Sequence, residues 1–243
     1  MAASNSPVGA VIVAAGASSR MGGVDKLFAS LAGKPLLAHT LAAFEESDCI
    51  DGIVLVLLEG NLNIGRQLTQ DMGFRKVTAI CPGGPRRQDS VCLGLVALGP
   101  CDYVLVHDGA RPLVSPELIE AGLNAARRFG AAVPVIPLVD TIKERKGDDL
   151  IGATVDRSLY WAAQTPQVFR YDLLQEAHAK IATDVTDDAA MVEALGHPVR
   201  IYAGSSSNIK VTCPDDLALA AALLEVRMRG TTKTAPLEKT AKP

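Results

Sequence analysis

No stretch of the 243-residue chain approaches the roughly 20 consecutive apolar residues that a bilayer-spanning helix needs. The opening segment MAASNSPVG has neither a positive n-region nor an apolar h-region, so no secretory signal is expected there. Cysteine is sparse and scattered. Cys49, Cys81, Cys92, Cys101 and Cys213 make no CxxC pair and show no metal-like spacing to histidine. They read as reduced packing residues of a cytoplasmic protein. Excess positive charge is missing too: a net charge of −3 argues against a broadly basic nucleic-acid surface. The chain has no internal repeat, no GxxxxGK[ST] and no GxGxxG, which sets aside P-loop and dinucleotide-binding chemistry. What remains is a globular composition, 48% hydrophobic, long enough for one large α/β core.

The stretch VIVAAGASSRMGGVDK, residues 11–26, organises the rest. Ala10-Val11-Ile12-Val13 is short, apolar and β-branched, as in a buried parallel strand. The strand gives way to Ala14, Ala15 and Gly16, then to Ser18, Arg20 and Lys26. A small, polar, glycine-rich loop after a strand lets backbone N–H groups approach a polyphosphate, and the two cations can neutralise it. The plain alternative is a solvated βα turn.

Further along, residues 36–46 and 61–72 have helical spacing, residues 53–58 and 77–80 read as strands, and residues 88–98 as a helix. Tyr103-Val104-Leu105-Val106 is a strong strand, residues 116–129 a helix, and residues 131–136 another strand. This alternation predicts right-handed βαβ units and a single doubly wound, mostly parallel sheet. Ligands then bind outside the carboxyl ends of the strands, where the motifs fall. One of these is His107-Asp108-Gly109-Ala110-Arg111-Pro112, directly after a strand. Asp108 there either caps a loop or holds Mg²⁺ beside a nucleotide. His107 reads as structural.

The alternation breaks at residues 138–156. Two extended runs flank a charged Lys146-Gly147-Asp148-Asp149 turn, which predicts a protruding β-hairpin, either an exposed flap or an arm paired with another subunit. In Thr186-Asp187-Asp188, before a short helix, Thr186 or Asp187 suits an N-cap. Residues 1–7 read as a flexible leader, residues 8–226 as the domain, and residues 227–243 as a disordered tail.

Taken together, AAGASSRM, Lys26, PGG…DS, VHDGARP, DTIK, TVDR, QTPQ, TDDA and NIKVT resemble the 2-C-methyl-D-erythritol 4-phosphate cytidylyltransferase family, over residues 8–224. The opening loop marks only the wider nucleotidyltransferase superfamily, whereas HDGARP, TVDR, TPQ and NIKVT in this order mark the cytidylyltransferase branch. The resemblance implies a Rossmann-like nucleotidyltransferase fold and a reaction of CTP with methylerythritol phosphate, releasing pyrophosphate, in non-mevalonate isoprenoid synthesis. It implies catalytic roles for Arg20, Lys26, Arg157 and Lys210, with Ala14, Ala15, Gly16, Ser18, Gly84 and Ser90 at the nucleotide. Arg111, Thr141, Arg157, Thr165 and Lys210 would bind the acceptor, and Asp108 would support Mg²⁺. The hairpin would reach over a partner in a homodimer, so that Thr141 and Arg157 serve the neighbouring site. Two positions depart from the family pattern: Pro85 stands where an acid is usual, and TDDA replaces TDEA. The chemistry agrees with these side chains. A phosphate oxygen is already anionic, so no general base is needed, and charge neutralisation is the main task. A ribitol-5-phosphate cytidylyltransferase and a non-catalytic nucleotide-binding module are the competing readings.

Overall fold

The structure, a computed structural model, describes residues 7–16 and 26–231. Ser18 and Arg20 lie outside the described residues. The first strand, β1 (Val8–Ala14), is followed by a short ribbon, β2 (Ser30–Leu31) and β3 (Lys34–Pro35), that leads into α1 (Leu36–Glu45). Strand and helix then alternate as expected: β4 (Gly52–Leu57), α2 (Leu62–Met72), β5 (Val77–Pro82), α3 (Arg87–Leu98), β6 (Tyr103–Asp108), α4 (Pro116–Phe129) and β7 (Ala131–Pro137). A separate antiparallel ribbon follows, β8 (Lys143–Lys146) and β9 (Leu150–Thr154). The chain returns to the sheet with β10 (Trp161–Ala163), β11 (Gln167–Arg170), α5 (Tyr171–Lys180), α6 (Asp188–Ala194), β12 (Arg200–Ala203) and α7 (Pro214–Thr231).

The sheet runs β10-β7-β11-β6-β1-β4-β5, with β12 also on β7. The β4–β1–β6 centre is parallel and apolar on both faces, and its side chains divide by the two-residue period of a strand. Ala10, Ile12, Ile53, Leu55 and Leu57 join the core with α1 and α4, while Val11, Val54, Val56, Val104 and Val106 pack with α3 and α5 on the other side. Each such valine, leucine or isoleucine side chain, fully buried, contributes about 1.5–3 kcal/mol. Close approach has a sequence cause at Gly94 of α3, where a Cβ would stand 2.4 Å from Val11 Cγ1.

The mostly parallel sheet is as the alternation predicts, with two antiparallel strands added, β10 at the edge beside β7 and β11 within the sheet. β11 inserts antiparallel between β6 and β7, so its amino end lies beside the carboxyl end of β6. Gln164 and Thr165 are thereby delivered to the same rim as Asp108. Capping follows local chemistry. The Ser115 hydroxyl accepts from Leu118 N–H at the start of α4, and Asp187, not Thr186, caps α6 by accepting from Ala190 N–H. α7 continues to Thr231, past Arg227, where composition places the start of a tail. Leu217, Ala220 and Leu224 pack it on the core, and Arg227 donates to the Val114 carbonyl. No helix among the described residues is long and apolar enough to cross a membrane.

Candidate active site

Because β1, β4, β5 and β6 run in parallel, their carboxyl ends share one rim. A cavity of about 500 Å³ opens there. Its walls include Ala14, Ala15 and Gly16 after β1, Gly84, Pro85 and Ser90 around the start of α3, and Lys26, Asp108 and Lys210. The turn after β5 is tight for a reason: a Cβ on Gly83 would lie 2.2 Å from the Ala15 Cβ. Ser90 is buried, and its hydroxyl accepts from Gly84 N–H at 3.1 Å, so it shapes the turn. Pro85 lines the cavity but has no N–H to offer a base.

A second, smaller cavity of about 270 Å³ adjoins the first and is lined by Arg87, Asp108, Arg111, Gln164, Thr165, Gln167, Thr186, Asp187 and Lys210. Asp108 stands between the two cavities and faces three cations. Lys210 Nζ lies 2.9 Å from Oδ2, Arg87 Nε 3.4 Å from Oδ1, and Arg111 Nε 3.5 Å from Oδ2. Burial alone would raise the Asp108 carboxyl, but the charges of Arg87 and Lys210 prevail and hold it well below the usual carboxylate range. It is a carboxylate at any physiological pH.

His107 is fully buried, and burial pushes its imidazole down to about 3. The ring is therefore neutral at pH 7, and its neighbours fix the tautomer. Nε2 lies 3.3 Å from the Arg111 carbonyl, which can only accept, so Nε2 carries the proton. Nδ1 then accepts from the Thr165 hydroxyl at 3.0 Å, and that hydroxyl accepts from Asp108 N–H at 3.1 Å. This chain keeps His107 out of proton transfer. It also leaves Thr165 Oγ1 only one lone pair, so Thr165 braces Asp108 as well as lining the smaller cavity.

The loop before α7 is tied down from beneath. Buried Asn208 donates to the Thr165 carbonyl at 2.8 Å, Arg111 Nη1 donates to the Asn208 carbonyl at 2.8 Å, and Gln164 donates to the Ser205 carbonyl at 2.9 Å. These bonds set the base from which Lys210 projects.

The structure thus brings Ala14, Ala15, Gly16, Lys26, Gly84, Ser90, Asp108, Arg111, Thr165 and Lys210 together at one rim. Thr141 and Arg157 line neither cavity of their own chain. Both are exposed at the base of the β8–β9 ribbon; Thr141 precedes β8, and Arg157 donates to the Val139 carbonyl. Sequence reasoning missed Arg87, Gln164, Asp188 and Asn208. Arg87 left one signal: Arg86 and Arg87 open α3, where a cation opposes the helix dipole, a local fault of the kind that marks function.

For Mg²⁺, the donor set is one ionised carboxylate at a strand end. Among the described residues no group of three His, Cys, Asp or Glu could hold a metal by itself. Mg²⁺ keeps several waters and takes phosphate oxygens alongside one or two carboxylates, so Asp108 fits an ion that arrives with a triphosphate.

A family model for 2-C-methyl-D-erythritol 4-phosphate cytidylyltransferase matches residues 8–226. An enzyme of that name from Dehalococcoides mccartyi is 52% identical over 221 residues, covering 91% of this chain and 97% of the relative. One from Pelotomaculum thermopropionicum is 46% identical over 226 residues, covering 90% and 95%. Among solved structures, the 2-C-methyl-D-erythritol 4-phosphate cytidylyltransferase of Thermus thermophilus superposes with a TM-score of 0.74 at 37% identity, covering 88% of this chain and 98% of that one. A 4-diphosphocytidyl-2C-methyl-D-erythritol synthase from Anaerococcus prevotii gives a TM-score of 0.79 at 29% identity, covering 91% and 99%.

Proposed function

The chain belongs to the 2-C-methyl-D-erythritol 4-phosphate cytidylyltransferase family, and we propose that its larger cavity receives CTP and the adjoining one the polyol phosphate. The reaction joins CTP to 2-C-methyl-D-erythritol 4-phosphate, with loss of pyrophosphate, in non-mevalonate isoprenoid synthesis. The observation that carries the assignment of the cavities is their common wall: Arg87, Asp108 and Lys210 line both. Two phosphates entering from the two sides would meet at that wall.

The acceptor phosphate oxygen attacks the α-phosphorus of CTP as the bond to the pyrophosphate oxygen breaks, and no proton has to be removed first. The work left to the protein is to align two polyanions and neutralise the charge that gathers on the α-phosphate and the departing pyrophosphate. Lys26 faces the triphosphate side, and Lys210 the junction; Arg20 is assigned with Lys26 from the sequence. Asp108 would hold Mg²⁺, which supplies Lewis-acid neutralisation of the phosphates when bound. The neutral ring of His107, bonded on both nitrogens, keeps Asp108 and Arg111 in register.

The arm supports a homodimer. Val139, Leu150, Ile151 and Leu159 are all more than 60% exposed along it, an apolar display that a second copy would cover. Thr141 and Arg157 would then complete the partner's acceptor site. The free cysteines and phosphorylated substrates suit a cytoplasmic enzyme. The test is pyrophosphate release from CTP with methylerythritol phosphate, with ribitol 5-phosphate, and with EDTA present. Release with the first acceptor that EDTA abolishes is expected. Release with ribitol phosphate alone would reassign the acceptor, and none with either would leave a binding module.

A further inference from the structure

Of the three cations on Asp108, two are immobilised elsewhere. Arg87 reaches past Asp108 and donates through Nη1 to Asp188 Oδ2 at 2.7 Å, and Asp188 is completely buried at the start of α6. Arg111 is 11% exposed and is bonded to the Asn208 carbonyl. Lys210 is different: its side chain is 42% exposed, on a long stem at the seam of the two cavities. A phosphate dianion entering the smaller cavity therefore competes with Asp108 for Lys210 and for neither arginine on equal terms. Whether Lys210 can leave depends on what Asp108 keeps. A buried carboxylate stripped of its partner is strongly unfavourable, whereas one still facing a fixed guanidinium is not. Arg87 is fixed because its planar fork spans two carboxylates, a task beyond the single ammonium of a lysine.

We propose that Arg87 is a positioning residue for the transfer: clamped between Asp188 and Asp108, it holds that carboxylate in place, with Arg111 near the other oxygen and beside the Mg²⁺ proposed there, while Lys210 moves from Asp108 to the acceptor phosphate. Asp188 is then the anchor that gives Arg87 its place. It receives no substrate, and Gln167 secures its helix by accepting from Ala189 N–H and donating to Asp187. The inference rests on the smaller cavity being the acceptor site.

Simple removal of Arg87 would leave Asp188 buried with only His178 beside it, 3.8 Å away, so the test uses the neutral pair Arg87→Gln with Asp188→Asn, and separately Arg87→Lys. Steady-state kinetics are measured with each substrate varied, with thermal melts to establish folding. In the folded double variant the KM for the acceptor should rise at least tenfold while the KM for CTP stays within threefold. Arg87→Lys should show the same selective rise, because charge without the fork does not restore the clamp. A purely structural role would lower the melting temperature and the active fraction without splitting the two KM values. Equal changes in both, no change in a folded variant, or normal acceptor KM in Arg87→Lys would each overturn the proposal. If the double variant does not fold, the Arg87→Lys kinetics decide by the same criterion. Failure of the wild type to use the acceptor at all would instead remove the reading of the cavity on which this one stands.

Discussion

The carboxyl rim of the sheet and the β8–β9 ribbon are built in opposite ways. At the rim, charged groups are buried and interlocked: Asp108 and Asp188 are almost or wholly enclosed, and each faces a guanidinium. On the ribbon every strand residue is exposed, and its ion pair, Arg145 with Asp148, lies in solvent. Exposed pairs of that kind contribute about 0–1 kcal/mol. The rim is therefore explained within one chain, by parallel strands that stop together and by charges that would be costly if separated. The ribbon carries Leu150 and Ile151 in solvent, and in the homodimer proposed above a second copy would cover them.

The sharpest way to break this contrast is Asp108→Asn. Removing the shared carboxylate leaves Lys210 and Arg111 without it and Arg87 with Asp188 alone, and breaking such a buried set costs about 3–5 kcal/mol. Because folding depresses the Asp108 pKa, its ionisation adds stability above its unfolded value of about 3.9 and loses it as pH falls below that value toward the folded one. Urea melts should thus show a gap from wild type that is full at pH 7 and narrower at pH 3. A gap independent of pH would mean that the charge of Asp108 is not what stabilises the rim. Next in size, Lys26→Ala should lower kcat by about 10²- to 10³-fold with a smaller change in the KM for CTP, since a cation at the leaving group acts mainly in the transition state. A change in KM alone would make Lys26 a binding residue.

The ribbon is tested by mixing two inactive proteins, Lys26→Ala and Arg157→Ala. In a two-fold dimer with shared sites, half of random pairings are mixed and each mixed dimer has one intact site, so activity should recover to about a quarter of wild type. If no activity returns despite subunit exchange, Arg157 serves its own chain and the contrast collapses. The smallest effects compare two glycines. Gly94→Ala forces a Cβ against Val11 and Val56 in the core and should cost about 1–3 kcal/mol. Gly147, at the ribbon's tip with φ of 64°, has open space around it, so alanine there meets only backbone strain of roughly 1–2 kcal/mol, confined to the ribbon. A global melting shift for Gly147→Ala equal to that for Gly94→Ala would show that the ribbon is part of the cooperative core.

Most rim positions were legible in the sequence because a strand end is a local event. The apolar run to Ala14 and the run to Val106 each stop abruptly, and the residues that follow must lie at the rim. The ribbon was legible as two runs about a Gly-Asp turn, but its strands are shorter than the alternation suggests. Pairing covers only Lys143–Lys146 and Leu150–Thr154, with a register shift between Glu144 and Arg145, since no buried face enforces a register there. Arg87 and Asp188 were not legible as partners, being 101 positions apart.

By itself the sequence determined the alternation of strands and helices, the faces those strands bury and the residues that stand where they end, because hydrophobic period and turn chemistry act over a few residues. Only the tertiary structure decided that β11 would enter antiparallel beside β6 and bring Thr165 to Asp108. It also decided that Asp108 would be divided among Arg87, Arg111 and Lys210. Those outcomes depend on which elements pack side by side and how deeply they exclude water. The strength of a charge pair is set by that exclusion, which no local pattern contains.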